Sequence, residues 1–242
     1  SNHDWNVMTL DLTIITPVFN GENYLEETIS SVLNKMSNGI EYEYIIVNDG
    51  STDNTAKILE KYRSNPIVRV IHQENQGEAG AINVALSLAQ GVFATVLSAD
   101  DPMLTGELAT ESLLILKEKK EIVCTYPDWR IIDRNGSVIS ERHVMDYSEM
   151  ELIGLFNCLP GPGAFFRVEN AKNIGGRRKW KFVSDYDFWL RLSREGVFVH
   201  IPKVLAQWRN HENSTTVSMK SLPMALERIN VIKDFVQFYP LT

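Results

Sequence analysis

The chain has 242 residues, 44% of them hydrophobic, and a formal net charge of −7. That length suits one large α/β domain or two small ones, with enough apolar residues for a full core. The acidic balance argues against a nucleic-acid partner, whose binding face would be basic.

Strand and helix signals alternate from the start. Leu12-Thr13-Ile14-Ile15-Thr16 is a β-branched run that Pro17 is expected to stop. Leu25, Ile29, Val32, Leu33 and Met36 then follow helical spacing. Tyr44-Ile45-Ile46-Val47 reads as a second strand, ended by Asn48-Asp49-Gly50. Ser51 and Thr52 are natural caps for a helix carrying Ile58, Leu59 and Tyr62. Val68-Arg69-Val70-Ile71 makes a third strand, and Ile82, Ala85, Leu86 and Ala89 mark the next helix. The run from Val92 to Leu97 makes a fourth strand. Such alternation implies a mainly parallel sheet with helices on both faces. Right-handed crossovers would bring the strand ends to one edge.

From about Ile122 to Val168 the signals change. Shorter strands and denser turns are expected, as in Asp133-Arg134-Asn135-Gly136 and Pro160-Gly161-Pro162-Gly163. This stretch reads as a second lobe packed on the first. In the tail, Leu226, Ile229, Ile232, Phe235 and Val236 stand at roughly helical spacing and predict a docked helix. Cys124 and Cys158 each sit beside apolar residues, so reduced core thiols are expected, not a disulfide framework. No apolar stretch approaches the roughly 20 residues of a membrane span. The polar residues 1–5 carry no signal-peptide pattern. A soluble, cytoplasmic chain is the expectation, with peripheral association at the inner face of the cell membrane as its alternative. Sequence spacing does not reveal the oligomeric state.

The chemistry-bearing residues stand at strand ends. The first strand runs into Pro17-Val18-Phe19-Asn20-Gly21-Glu22, which is not the glycine-rich turn of a dinucleotide fold. In isolation, Asp49 and its neighbours are a good turn and helix cap. Val96-Leu97-Ser98-Ala99-Asp100-Asp101 is an apolar run that stops at two adjacent carboxylates. Oxygen ligands of that kind suit Mg²⁺ or Mn²⁺ held against a diphosphate.

In combination, these motifs are more specific. The series continues with Asn75-Gln76-Gly77, Gly161-Pro162-Gly163-Ala164-Phe165-Phe166-Arg167, Ser184-Asp185-Tyr186-Asp187-Phe188-Trp189-Leu190-Arg191-Leu192 and His211-Glu212-Asn213-Ser214. From about Leu12 to Ser214 the chain resembles the family 2 glycosyltransferases of the GT-A fold. The resemblance implies an α/β, Rossmann-type sandwich with a mainly parallel central sheet and a smaller acceptor-side lobe. Residues of about 10–102 would form the nucleotide-sugar half, about 103–220 the acceptor half, and about 221–242 a C-terminal helix.

The resemblance also implies an activity: metal-dependent, inverting transfer of a hexose or N-acetylhexosamine from a nucleotide sugar. A UDP-sugar is the expected donor, and a glycan or lipid-linked sugar of a cell-surface polysaccharide the expected acceptor. Pro17, Val18, Asn20 and Glu22 would border the nucleotide, Asp49 would bond the base, and Asn75 and Gly77 would lie nearby. Asp100 and Asp101 would be divided between ribose or sugar and Mn²⁺ or Mg²⁺, with Asp101 favoured for the metal and His211 approaching it or the diphosphate. Asp185 would be the catalytic base, although its other reading is a helix cap, and Asp187 shares its turn. Gly161, Gly163, Ser184 and Trp189 would line the acceptor side. His3, His72, His143 and His200 read as structural or exposed.

Three positions depart from the family pattern. Ser98 and Ser184 stand where an acidic residue is common, and Ile82 where an arginine is common, which would remove a cationic contact to the donor. The basic stretch Gly175-Gly176-Arg177-Arg178-Lys179-Trp180-Lys181 is either a solvated loop or a grip on an anionic acceptor or diphosphate. A non-catalytic nucleotide-sugar module is the main rival. A nucleotidyltransferase would need a basic, glycine-rich loop that Thr16 to Gly21 does not supply.

Overall fold

The computed structural model describes residues 10–211 and 222–239. Residues 1–5 and Glu212-Asn213-Ser214, both discussed above, lie outside them. Strand β1 (Leu10–Val18) is central and pairs in parallel with β2 (Tyr42–Asp49) and β4 (Gly91–Val96). Strand β3 (Val68–Gln73) adds to β2, again in parallel. The connections run through α1 (Leu25–Lys35), α2 (Thr55–Glu60) and α3 (Gly77–Leu88). Parallel strands covered on both faces read as continuous apolar runs, and Ile14, Ile15, Tyr44 to Val47 and Ala94 are all buried.

Pro17 does not end β1. It lies within the strand, opposite Val47. The pairing with β4 stops at Ile15, so a residue without an N–H costs the sheet little there. Nor do Ser51 and Thr52 cap α2. The helix starts at Thr55, whose N–H is bonded by Asp53 Oδ1 at 2.9 Å. Ser51 and Thr52 are committed elsewhere, as described below.

After α4 (Glu107–Glu118) the chain forms β5 (Ile122–Ile132), β6 (Val138–Arg142), a π-helical turn (Met150–Gly154) and β7 (Phe165–Arg167). Next come α5 (Val168–Asn173), α6 (Ser184–Leu192), β8 (Val197–Arg209) and α7 (Leu222–Phe238). Strand β7 runs antiparallel to β4 and β5 and so joins the later strands to the first sheet. The order is β3-β2-β1-β4-β7-β5-β6, with β8 also paired to β5. Strands β6 and β7 are short, as expected, with 5 and 3 residues, whereas β5 runs to 11. Polar residues inside β5 hid its length. Asp128, for example, is buried because His143 Nδ1, His200 Nε2 and Val144 N–H all bond its carboxylate.

Two apolar clusters cover the sheet, one against α1 and α4, the other against α3 and α6. Helix α7 docks over α6 through the second half of the predicted face, Ile232, Phe235 and Val236, joined by Met224 and Val231. Met224, Val231 and Phe235 are buried against Tyr186, Leu190 and Leu152, whereas Leu226 and Ile229 are exposed. Cys124 is buried and Cys158 half-buried, and both are free thiols.

Candidate active site

Two adjoining cavities open at the C-terminal edge of the parallel strands, where an open α/β sheet binds ligands. The larger measures about 1020 Å³ and the smaller about 430 Å³. Both are lined by Glu78, Ser98 and Asp100, so they form one cleft with a shared middle.

The larger cavity takes Pro17, Val18, Asn20 and Asp49 from the first two strand ends. Asn20 adopts a left-handed backbone (φ 54°), uncommon without glycine. It is held there by the next strand end. Its N–H donates to Ser51 Oγ (2.9 Å), and its Oδ1 accepts from Thr52 N–H (2.8 Å). Gly21 N–H donates to Thr55 Oγ1 and Glu22 N–H to Asp53. Glu22 Oε2 in turn accepts from Asn54. Asp49 is buried, and its Oδ1 accepts from Gln73 Nε2 and Gln76 N–H, each at 2.8 Å. Gly50 has φ +74°, and a Cβ there would stand 2.8 Å from Asn75 N, so only glycine lets these two turns pass. The far rim, Asp133 to Asn135 with Asn210 and His211, comes from the later half of the chain.

The acidic pair divides sharply. Asp100 lines both cavities, and its Oδ2 lies 3.0 Å from His211 Nε2. Asp101 is only 6% exposed, and its Oδ1 accepts the Arg209 N–H at 2.8 Å. Burial, then the charges of Asp100 and Glu78, push the Asp101 carboxyl up to about 7, although the Arg209 N–H bond and charge pull the other way. Arg209 ends β8, is 1% exposed, and pins the acidic turn. Its guanidinium donates to the carbonyls of Asp100 (2.9 Å) and Arg134 (2.9 Å) and to Glu27 Oε2 (2.7 Å), stacked 4.4 Å from the Tyr24 ring centroid. Tyr24 also lies against His211, with ring centroids 5.3 Å apart.

The smaller cavity holds Asp185, exposed in the first turn of α6. The start of that helix is fixed from α7, where the Glu227 carboxylate accepts the N–H groups of Lys181, Phe182 and Val183. Asp187, in the same turn, is buried and paired to Arg191 at 2.7 Å. Only Asp185 of the two lines the cleft. Arg191 also donates to the carbonyls of Ile174 and Gly176, which shapes the loop leading into Arg177. The basic stretch divides, with Lys179 and Lys181 exposed to solvent. Arg177 is buried and lines the smaller cavity, while Arg178 bonds Asp234 of α7. Gly161, Gly163 and Trp189 line this cavity, together with the edge-to-face pair Trp129 and Trp208.

Four of the expected site residues are not among those lining the cleft: Glu22, Asn75, Gly77 and Ser184. Glu22 holds Asn54, Asn75 Oδ1 accepts the Gly77 N–H, Gly77 opens α3 with φ +79°, and Ser184 Oγ donates to the Arg178 carbonyl. Ile82 is fully buried in the core, so an arginine missing there leaves no gap in the cleft. Sequence reading missed Glu78, Arg209 and Glu227. Glu78 opens α3 and shares the Gln76-Gly77 motif, which was a usable signal. Arg209 and Glu227 carry none, because their importance comes from strand pairing and helix docking.

Among the described residues no group of three or more acidic, histidine or cysteine side chains forms a ready metal cage. The donors still fit an ion that arrives with a diphosphate, since such ions need only one or two protein ligands beside phosphate oxygens and water. Asp100 and His211, adjacent and facing the larger cavity, meet that need, whereas Asp101 is turned toward the β8 backbone.

Residues 13–179 match the family described as Glycosyl transferase family 2. The chain belongs to that family. Among curated relatives, a chondroitin synthase of Pasteurella multocida is 30% identical over 209 residues, covering 85% of this chain and 21% of its own length. A chondroitin synthase of Escherichia coli is 30% identical over 246 residues, covering 96% of this chain and 34% of its own. The chain thus spans a minor part of these relatives. The S. aureus TarS structure with UDP-GlcNAc superposes with a TM-score of 0.78 at 20% identity, covering 96% of this chain and 68% of that one. A mannosyltransferase from Pyrobaculum calidifontis, solved with GDP-Man and Mn²⁺, gives 0.65 at 12% identity, covering 96% and 75%. These likenesses establish the GT-A glycosyltransferase fold for this family 2 chain. Among the described residues no helix is long and apolar enough to cross a membrane.

Proposed function

We propose that this chain transfers a hexose or N-acetylhexosamine from a UDP-sugar to a growing glycan, with inversion at the transferred carbon. One observation carries the reading. A single cleft has Asp49 and the clamped Asn20 turn at one end, an acidic turn in the middle, and the exposed Asp185 carboxylate at the other. The donor nucleotide lies in the larger cavity, with the base against Asp49. The transferred sugar sits at the shared middle, beside Glu78, Ser98 and Asp100. The acceptor enters the smaller cavity, where Asp185 takes the proton of the attacking hydroxyl. A base on the face opposite the leaving group suits a single displacement, with no covalent intermediate.

Asp100 and His211 would hold Mn²⁺ or Mg²⁺, which stabilises the charge that develops on the departing diphosphate. The UDP-GlcNAc complex of TarS supports a UDP-sugar, and the relatives named chondroitin and hyaluronan synthases support a polysaccharide acceptor. Cytoplasmic action at the inner membrane face belongs to the same reading, as does the division into donor and acceptor halves near residue 102.

The test is UDP binding and UDP-sugar turnover, with Mn²⁺ or with EDTA. Wild-type protein should bind UDP more tightly with the metal and release UDP from a UDP-sugar. Asp185→Asn should keep UDP binding and lose turnover by about 10²-fold or more, the usual weight of a general base. Full turnover in Asp185→Asn, or no binding of any nucleotide at millimolar concentration, would defeat the reading.

A further inference from the structure

Arg177 is 6% exposed, yet among the described residues no hydrogen bond or ion pair reaches its guanidinium. A largely buried cation with no carboxylate at ion-pair distance is costly, so its place needs a reason. Its backbone is fixed by Asn83, whose Nδ2 donates to the Arg177 carbonyl (2.7 Å) and whose Oδ1 accepts the Arg177 N–H (2.8 Å). Its guanidinium carbon stands 5.0 Å from the Phe188 ring centroid and 6.0 Å from that of Trp189. Stacking on aromatic faces leaves the N–H fork unused, and that fork suits a two-oxygen anion. Glu78 lies near enough for the Arg177 charge to act on it, but closes no ion pair with it.

Location narrows the ligand. Arg177 lines the smaller cavity with Asp185 and is not among the residues of the larger one, which holds Asp49 and His211. The guanidinium therefore serves the acceptor end of the cleft. Resting on the transferase reading above, we propose that Arg177 binds a carboxylate or phosphate carried by the acceptor sugar. That anion would orient the sugar so that its attacking hydroxyl meets Asp185. The Trp129 and Trp208 rings wall the same cavity and offer apolar surface to the sugar ring.

The experiment titrates wild-type, R177K and R177Q proteins, each with UDP and Mn²⁺, using three monosaccharide probes followed by NMR. The probes are methyl β-D-glucuronide, glucose 6-phosphate and the neutral methyl β-D-glucoside. Wild type should bind at least one anionic probe about 10-fold or more tightly than the glucoside, the weight of one charge-assisted hydrogen bond. The preferred anion identifies the group. R177Q should bind all three alike, and R177K should keep part of the preference. Equal binding of the three probes by wild type, no binding of either anion at tens of millimolar, or a preference that survives in R177Q would each overturn the proposal. Should R177Q fail to fold, the wild-type ratio and its reduction in R177K decide. UDP binding on the same samples separates the two readings. Intact UDP binding without anion preference removes the role of Arg177 alone, whereas wild type that binds no UDP removes the transferase reading.

Discussion

Replacing Asp101 by asparagine tests whether this carboxylate is held in the protein at an electrostatic cost. Burial and the neighbouring Asp100 and Glu78 raise its pKa from 3.8 to about 7. A raised folded-state pKa means that the native protein keeps a proton the unfolded chain has already released. The contribution to stability is full below about pH 4 and is lost as pH rises through about 7. Three units correspond to about 4 kcal/mol, of which roughly 2 to 3 kcal/mol falls between pH 5 and pH 8. Asparagine keeps the shape and an oxygen for the Arg209 N–H, and it never ionises. Urea unfolding of both proteins, in EDTA to exclude divalent ions, supplies the comparison. The stability of Asp101→Asn relative to wild type should rise by about 2 to 3 kcal/mol from pH 5 to pH 8. Other titrating groups are common to both proteins, so the difference reports Asp101. Parallel stability curves across that range would refute the reasoning.

Arg209→Met should cost about 2–5 kcal/mol, because three carbonyls, of Asp100, Asp133 and Arg134, lose a buried charged donor and Glu27 loses its partner. Denaturant midpoints check this, and a loss below about 1 kcal/mol would argue that water replaces the guanidinium. Glu227→Ala should lower kcat several-fold and stability by about 2 kcal/mol, since three N–H groups before α6 lose their acceptor. An unchanged kcat would show that Asp185 is positioned without α7. Gly163→Ala should destabilise by about 1–3 kcal/mol, because its φ is +84° and the new methyl would stand 2.7 Å from Ala206 Cβ. Thermal unfolding of that variant measures the cost.

The parallel half of the fold was legible because each strand is a short apolar run followed by a helix of matching period. The strand-end motifs, from Asn20 to Asp100, were legible for the same reason, since crossovers gather strand ends on one edge. Later strands were obscured by polar residues that only tertiary partners satisfy, Asp128 with its two histidines above all. Sequence could not separate the surroundings of Asp100 and Asp101. Their difference arises from the β8 backbone, which passes over one and not the other. Sequence favoured Asp185 but placed Asp187 in the same turn, and the buried pairing with Arg191 keeps Asp187 out of the cleft. The α7 face was read only in part, Leu226 and Ile229 staying exposed, because its partners, α6 and the π-helical turn, lie far away in sequence.

The clamp between residues 20–22 and 51–55 has a consequence for how this chain can diverge. Asn20 receives a hydroxyl and a backbone N–H from the neighbouring turn and offers its own N–H in return, in a backbone conformation few residues tolerate. Glu22 adds to the clamp, accepting from the Asn54 backbone and side chain and donating its N–H to Asp53. Replacing Asn20 strands the Thr52 N–H and replacing Ser51 strands the Asn20 N–H, so the two turns are coupled, with non-additive energies between them. The two turns should therefore be inherited together. Changes in the larger cavity would arise there by paired replacement, while, among the described residues, no such clamp joins the turn at Gly161 and Gly163 to Arg177, so those positions are free to drift one at a time.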